Sequence, residues 1–282
     1  MRQITFALNF CRENFDKIKY APRNYFLGLK IFFNVKNWKD YYLDCKHKIK
    51  EKFITYKLKN NLKIITRANT KDRDIFTEIF FGNEYFTNGL VLPEKAVVFD
   101  IGAHIGVFSV FIAEKAGKVF SFEPVPENFN LLKQNIELNQ LQNKVFPFNF
   151  AVSDKKETKN FFLHSFNTGG NSFYRRAGKG MKKSIDVQIT TLKEIFESNK
   201  LERCDLMKVD IEGGEYTLVF NLAEETLNKI KLIVIECHRF RKKSEPEELV
   251  AFLEKKGFEI KKKRKSYGML LILAENKNNK IY

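Results

Sequence analysis

The chain has 282 residues, 44% of them hydrophobic and 30% charged, which is the balance of a folded globular protein and excludes a disordered or fibrous one. Its 50 Lys/Arg against 34 Asp/Glu give a formal charge of +16, and residues 1–60 hold 14 Lys/Arg but only 5 Asp/Glu, so most of the excess lies there. Cys11, Cys45, Cys204 and Cys237 form no CxxC pair, which argues against structural zinc and a disulfide framework and for a reducing compartment.

The first apolar stretch is cut by Asn9, Arg12 and Glu13, so no secretory leader is expected. The run nearest to spanning a bilayer, Tyr25 to Val35, is too short and is interrupted by Lys30; a cytoplasmic protein is the expectation. Residues 1–90 read as a basic N-terminal cap, helical first, strand-like at Leu62–Ile65 and helical at Asp74–Phe80, ahead of a catalytic domain over residues 91–282. The basic, aromatic-rich residues 1–60 suit peripheral contact with an anionic surface, although a lysine-rich solvated face is the simpler reading.

From Ala96 the chain alternates short apolar runs with helical patterns, as a parallel sheet with crossover helices does. Strands are expected at Ala96–Ile101, Val119–Phe122, Val145–Val152, Leu206–Val209 and Leu232–Ile235. Helices are expected at Gly106–Ala116, from Pro126 to about Leu141, and at Leu192–Glu197, Tyr216–Leu227 and Pro246–Lys256, the last stopped by Gly257. Two β-like pieces, Thr158–Leu163 and Ile185–Ile189, flank a loop containing Gly169, Gly170, Gly178 and Gly180. Two closing strands, Phe258–Lys263 and Met269–Ala274, are joined by Ser266-Tyr267-Gly268.

The run Val97-Val98-Phe99-Asp100-Ile101-Gly102-Ala103-His104-Ile105-Gly106 is a strand, an acidic turn and a helix start. Dinucleotide-binding and S-adenosylmethionine-binding folds share that arrangement, in which glycines let the backbone approach a ligand at a helix N-terminus. Asp100 separates the two, since a carboxylate repels pyrophosphate and attracts a sulfonium and an ammonium. The three residues between Gly102 and Gly106 also depart from GxGxxG. Glu123 ends the next strand, about twenty residues on, where a carboxylate can accept both ribose hydroxyls.

Lys208-Val209-Asp210-Ile211-Glu212-Gly213-Gly214-Glu215 places three carboxylates at the end of the fourth strand, the edge where open α/β sheets bind ligands. Asp210 would lie beside the reacting methyl; Glu212 and Glu215 would contact the acceptor or favour the next helix start. Glu236 and His238 end the fifth strand two residues apart, hence on one face, and His238 is a candidate general base. A divalent-metal site from Asp210, Glu236 and His238 is a less favoured alternative. Arg175 and Arg176 on the glycine-rich loop would hold an anionic substrate, or form a solvated charge pair.

These blocks, with Phe122-Glu123-Pro124, Ala151-Val152-Ser153-Asp154, Thr168-Gly169-Gly170-Asn171-Ser172 and Glu236-Cys237-His238, resemble the FkbM-type methyltransferases from about Asp72 to Lys263. The resemblance implies a class I, Rossmann-like fold with a seven-stranded, mostly parallel sheet whose last strand is antiparallel. It also implies S-adenosylmethionine as methyl donor and a hydroxyl on a sugar, glycan or secondary metabolite as acceptor. The cofactor would lie against Asp100, Gly102, Ala103, His104, Gly106, Glu123, Pro124 and Ala151, with Asp210, Glu212, Glu236 and His238 serving catalysis and Glu215 the substrate. Lys193 departs from the acid the family commonly carries there. The charge and the run Lys261 to Lys265 raise a nucleic-acid methyltransferase as an alternative. The fourth-strand motif lacks the Asn/Asp-Pro-Pro-aromatic block and no Pro-Cys nucleophile is present, so that alternative is disfavoured. An inactive cofactor-binding module is disfavoured by the retained acids.

Overall fold

The structure is a computed structural model and describes residues 21–82, 85, 91–164, 167–175, 180–181, 183–238, 245–266 and 269–279. Residues 1–20 of the expected basic segment, Arg176, Gly178 and Tyr267-Gly268 lie outside the described residues. The chain divides into two compact units, Met1–Thr87 and Asn88–Tyr282. Among the described residues no helix is long and apolar enough to cross a membrane.

In the first unit, α1 (Ala21–Asn34) and α2 (Trp38–Cys45) precede an antiparallel hairpin, β1 (Phe53–Lys57) and β2 (Lys63–Arg67), and then α3 (Asp72–Phe80). The strand β1 is absent from the sequence reading. Its period-two pattern buries only Ile54 and Tyr56, and lysines at both ends hide so short an alternation. Tyr56 stacks on Phe76 and donates to the buried Asp44 carboxylate, which also accepts the Asn69 amide; Arg73 donates to the Asp44 carbonyl at 2.9 Å. This network anchors helix to hairpin, because a buried carboxylate is tolerated only when its lone pairs are used.

The second unit begins with β3 (Val97–Ile101), α4 (Val107–Ala113), β4 (Lys118–Phe122), α5 (Pro126–Leu138) and β5 (Val145–Phe148). Next come β6 (Ala151–Ser153), β7 (Glu157–Leu163), β8 (Lys183–Thr191), α6 (Leu192–Ser198) and β9 (Cys204–Val209). Then α7 (Glu215–Phe220), α8 (Glu224–Asn228), β10 (Ile230–His238), α9 (Pro246–Lys255), β11 (Phe258–Ser266) and β12 (Met269–Asn276) complete it. Seven strands form one sheet in the order β11-β12-β10-β9-β3-β4-β5. Neighbours among β5, β4, β3, β9 and β10 are parallel, and β12 runs antiparallel to both β10 and β11, as expected. The parallel strands read as unbroken apolar runs because helices cover both faces, and Phe99, Phe122, Met207, Val209 and Ile235 are almost wholly buried.

Three boundaries differ from the sequence reading. The expected strand Val145–Val152 is two: β5 stays in the main sheet, and β6 leaves it to pair with β8 in a three-stranded sheet with β7. At the break, Asn149 donates its side-chain amide to the carbonyls of Glu123 and Pro124. The expected helix Tyr216–Leu227 is α7 and α8, because the Asn221 amide caps the Thr217 carbonyl and Ala223 takes an extended conformation. The fifth strand runs on to His238, held by pairing with β12 through His238 and Met269. That extension places Glu236 and His238 on a rigid strand.

Candidate active site

The strand order turns between β3 and β9, and β4, β3, β9 and β10 are consecutive in the sheet, so their carboxyl ends form one edge at a topological switch point. The turn after β3 has three left-handed residues, Gly102, His104 and Gly106. Gly102 and Ala103 donate their amides to the Phe122 carbonyl, folding the turn against the end of β4. A Cβ on Gly102 would overlap the Asp210 carbonyl oxygen, and one on Gly106 would overlap Leu132 of α5. Gly102→Ala adds a forbidden φ of +82° to a backbone collision, and is expected to cost roughly 2–5 kcal/mol. Urea melts would check it, and a loss below about 1 kcal/mol would show that the two turns are not in contact.

Asp100 lies elsewhere than its sequence role required. It is fully buried; one carboxylate oxygen accepts from Lys208 Nζ at 3.0 Å and the other from Ser109 Oγ at 2.6 Å. Ser121 shares the Ser109 hydroxyl at 2.8 Å, and Lys208 also donates to the Gly102 carbonyl at 2.9 Å. Burial pulls the Lys208 pKa down, but Asp100, Asp210 and Glu236 outweigh it and hold the ammonium above its usual range. Lys208 therefore meets the Asp100 charge at 3.0 Å and also lies 3.8 Å from Asp210.

Glu123 is one of them. His104 N donates to one oxygen at 2.9 Å and Val125 N to the other at 2.8 Å, with Asn128 Nδ2 at 3.4 Å. Burial pushes its pKa up to about 7, against these hydrogen bonds. His104 points its ring at Thr168 Oγ1, 3.1 Å away, and Asn128 donates to the Thr168 carbonyl at 3.2 Å, so the glycine-rich loop is tied to the turn.

The acids after β9 and β10 converge. Glu215 accepts from Ile211 N at 3.1 Å and Gly213 N at 2.8 Å, closing a turn in which Glu212 is left-handed. Ser172 Oγ donates to the Glu212 carbonyl at 2.6 Å, bringing the glycine-rich loop to this side as well. His238 Nδ1 lies 2.9 Å from Glu215 Oε1, and its Nε2 lies 3.6 Å from Glu212 and 3.7 Å from Glu236. Burial disfavours the imidazolium, but Glu215, Glu212 and Asp210 outweigh it and raise the His238 pKa well above its usual value. These carboxylates therefore favour the charged imidazole over the free base that a general base requires.

Glu215 is fully buried and acts through His238 and its own turn rather than facing a substrate. Ala151, the first residue of β6, is buried with Val125, Phe161, Val187 and Ile189. Pro124 is half-buried, with its carbonyl taken by Asn149. Arg175 is exposed between β7 and β8. Lys208, Ser109, Asn128 and Ser172 were not expected at the site. For Lys208 the signal was a lone lysine inside an apolar strand, and for Ser109 a lone hydroxyl inside an apolar helix.

The family described as the methyltransferase FkbM domain matches residues 100–260, more than half of the chain. AMB antimetabolite synthetase AmbE of Pseudomonas aeruginosa is 26% identical over 66% of this chain, which spans only 10% of that protein's length. Methyltransferase sdnD of Sordaria araneosa is 28% identical over 69% of this chain and 85% of its own. The 31-O-demethyl-FK506 methyltransferase FkbM of Streptomyces tacrolimicus is 23% identical over 66% and 81%.

Proposed function

The chain belongs to the FkbM methyltransferase family, and from that premise we propose that it transfers a methyl group from S-adenosylmethionine to a hydroxyl oxygen of a sugar, glycan or secondary metabolite. The observation that carries the reading is the single edge on which Glu123, Asp210, Glu212, Glu236 and His238 stand around the turn at Gly102. One relative is named for a 31-O-demethyl substrate, which fits an oxygen acceptor.

The donor set suits the cofactor. Glu123 is a buried carboxylate fixed by two backbone amides; the oxygen that accepts from His104 N has a second lone pair for a ribose hydroxyl, while the other also meets Asn128 at 3.4 Å. The acids beyond Gly102 give the edge the negative charge that a sulfonium favours. S-adenosylmethionine, when bound, supplies an electrophilic methyl whose C–S bond breaks as the acceptor oxygen forms the C–O bond. The protein's part is to align the acceptor and to take its proton. The proton passes to a carboxylate among Asp210, Glu212 and Glu236, and His238, 3.6 Å from Glu212 and 3.7 Å from Glu236, holds those two in place. Labelled-methyl transfer to paired hydroxyl and amino analogues of sugars and uronic acids tests the acceptor. Label on amines alone would overturn O-methylation.

A pH dependence follows from Glu123. Ionised carboxylate accepts the ribose hydroxyls, and with a pKa of about 7 the group is mostly ionised at pH 8 and mostly protonated at pH 6. Cofactor affinity is expected to fall about tenfold between those values. Calorimetry at both pH values checks it, and Glu123→Gln should bind weakly at both with the slope removed.

A further inference from the structure

We propose that Asp210, Glu236 and His238 bind a divalent cation of the Mg²⁺/Mn²⁺ class, which contacts the acceptor hydroxyl in the reaction proposed above. One ligand atom of each lies within 4.8 Å of the others. They come from two adjacent parallel strands, Asp210 just after β9 and Glu236 and His238 at the end of β10. Such strand ends hold ligands more rigidly than loop side chains do.

Three observations distinguish this from an ordinary acidic patch. First, His238 is more than nine-tenths buried, and its Nε2 faces oxygens of Glu212 and Glu236 at 3.6 and 3.7 Å, too long for hydrogen bonds. The Glu236 oxygen at 3.7 Å thus stands beside Nε2 as a second ligand of one ion would, with the Asp210 carboxylate within 4.8 Å of both. Second, Nδ1 is fixed by Glu215, the carboxylate–histidine arrangement that sets the tautomer of a metal-ligating imidazole. Glu215 is itself locked by the amides of Ile211 and Gly213, so it is held whether or not the imidazole carries charge. Third, the charges do not cancel. The Lys208 ammonium, 3.0 Å from Asp100 and 3.8 Å from Asp210, and one imidazole stand among the carboxylates of Asp100, Asp210, Glu212, Glu215 and Glu236.

Two carboxylates and one imidazole are the donor set of a hard or borderline dication that keeps open positions. Ligation uses the Nε2 lone pair while Nδ1–H is donated to Glu215. A hydroxyl reaching the open position becomes more acidic. Glu212, which is not a ligand in this arrangement, takes the hydroxyl proton. The oxygen lone pair forms the C–O bond to the methyl, and the C–S electron pair returns to sulfur.

The probe is Mn²⁺ added to the full chain, followed by the loss of the free-ion paramagnetic resonance signal. One Mn²⁺ per chain is expected, displaced by Mg²⁺. Asp210→Asn, Glu236→Gln and His238→Gln should each weaken uptake at least tenfold, with an unchanged far-ultraviolet circular dichroism spectrum and a cooperative thermal melt as the folding control. No Mn²⁺ uptake, or uptake that all three variants leave unchanged, overturns the site. Full methyl transfer in the presence of a chelator overturns the ion's role yet leaves the methyltransferase reading standing. Failure to bind S-adenosylmethionine would sink that reading without altering the Mn²⁺ result.

Discussion

Lys208→Met is expected to destabilise the second unit by about 3–5 kcal/mol, because it strands the Asp100 carboxylate in a core with no solvent access. For a unit of this size that is a fall in Tm on the order of 10 °C, readable by calorimetry. Methionine fills most of the lysine stem's volume, so lost packing is a small part of the effect. Removing the charge on the other side as well, in Asp100→Asn/Lys208→Met, should restore much of the stability, since the largest cost is the unpaired ion rather than the missing bond. A single variant with unchanged Tm would mean that Lys208 and Asp100 are not paired. A double variant no better than the single would place the effect in the Gly102 carbonyl, which Lys208 also holds.

His238→Ala is expected to lower methyl transfer by about 10²–10⁴-fold, the range for loss of a residue that sets proton transfer. Cofactor affinity should change little, because Glu123 and the turn at Gly102 are positioned without His238. The loss should therefore fall on kcat. The cause is the arrangement around the ring: Glu215 on one nitrogen, Glu212 and Glu236 near the other. Without the imidazole those carboxylates face one another with no group between them, and their orientation toward an acceptor is lost. Methyl transfer within threefold of the parent would show that the reaction does not use this edge.

The sheet was legible in the sequence because its signal is strong. Buried parallel strands are continuous apolar runs, and Asp100, Glu123, Asp210 and Glu236 punctuate four of them at their ends. Element ends were less legible. Asn149 and Asn221 end elements through side-chain bonds to carbonyls that only the folded chain brings near. At the site, the sequence located the acids but not their states. Asp100 looked like the cofactor's counter-charge, yet residue 208, in the neighbouring strand, neutralises it; strand pairing decides this, and spacing does not reveal it. His238 looked like a base, and the carboxylates packed against it favour its charged form. Glu215 looked like a helix-start or substrate acid, and it is the group that orients His238. Arg176 lies outside the described residues.

Titration calorimetry of S-adenosylmethionine into the intact protein and into Glu123→Gln tests the account most directly. One cofactor per chain should bind the parent at pH 8, and the variant, which keeps the buried volume but loses the carboxylate, should bind at least tenfold more weakly. Equal affinity in the two proteins, or no binding by the parent, would contradict a cofactor held by the carboxylate at the end of β4.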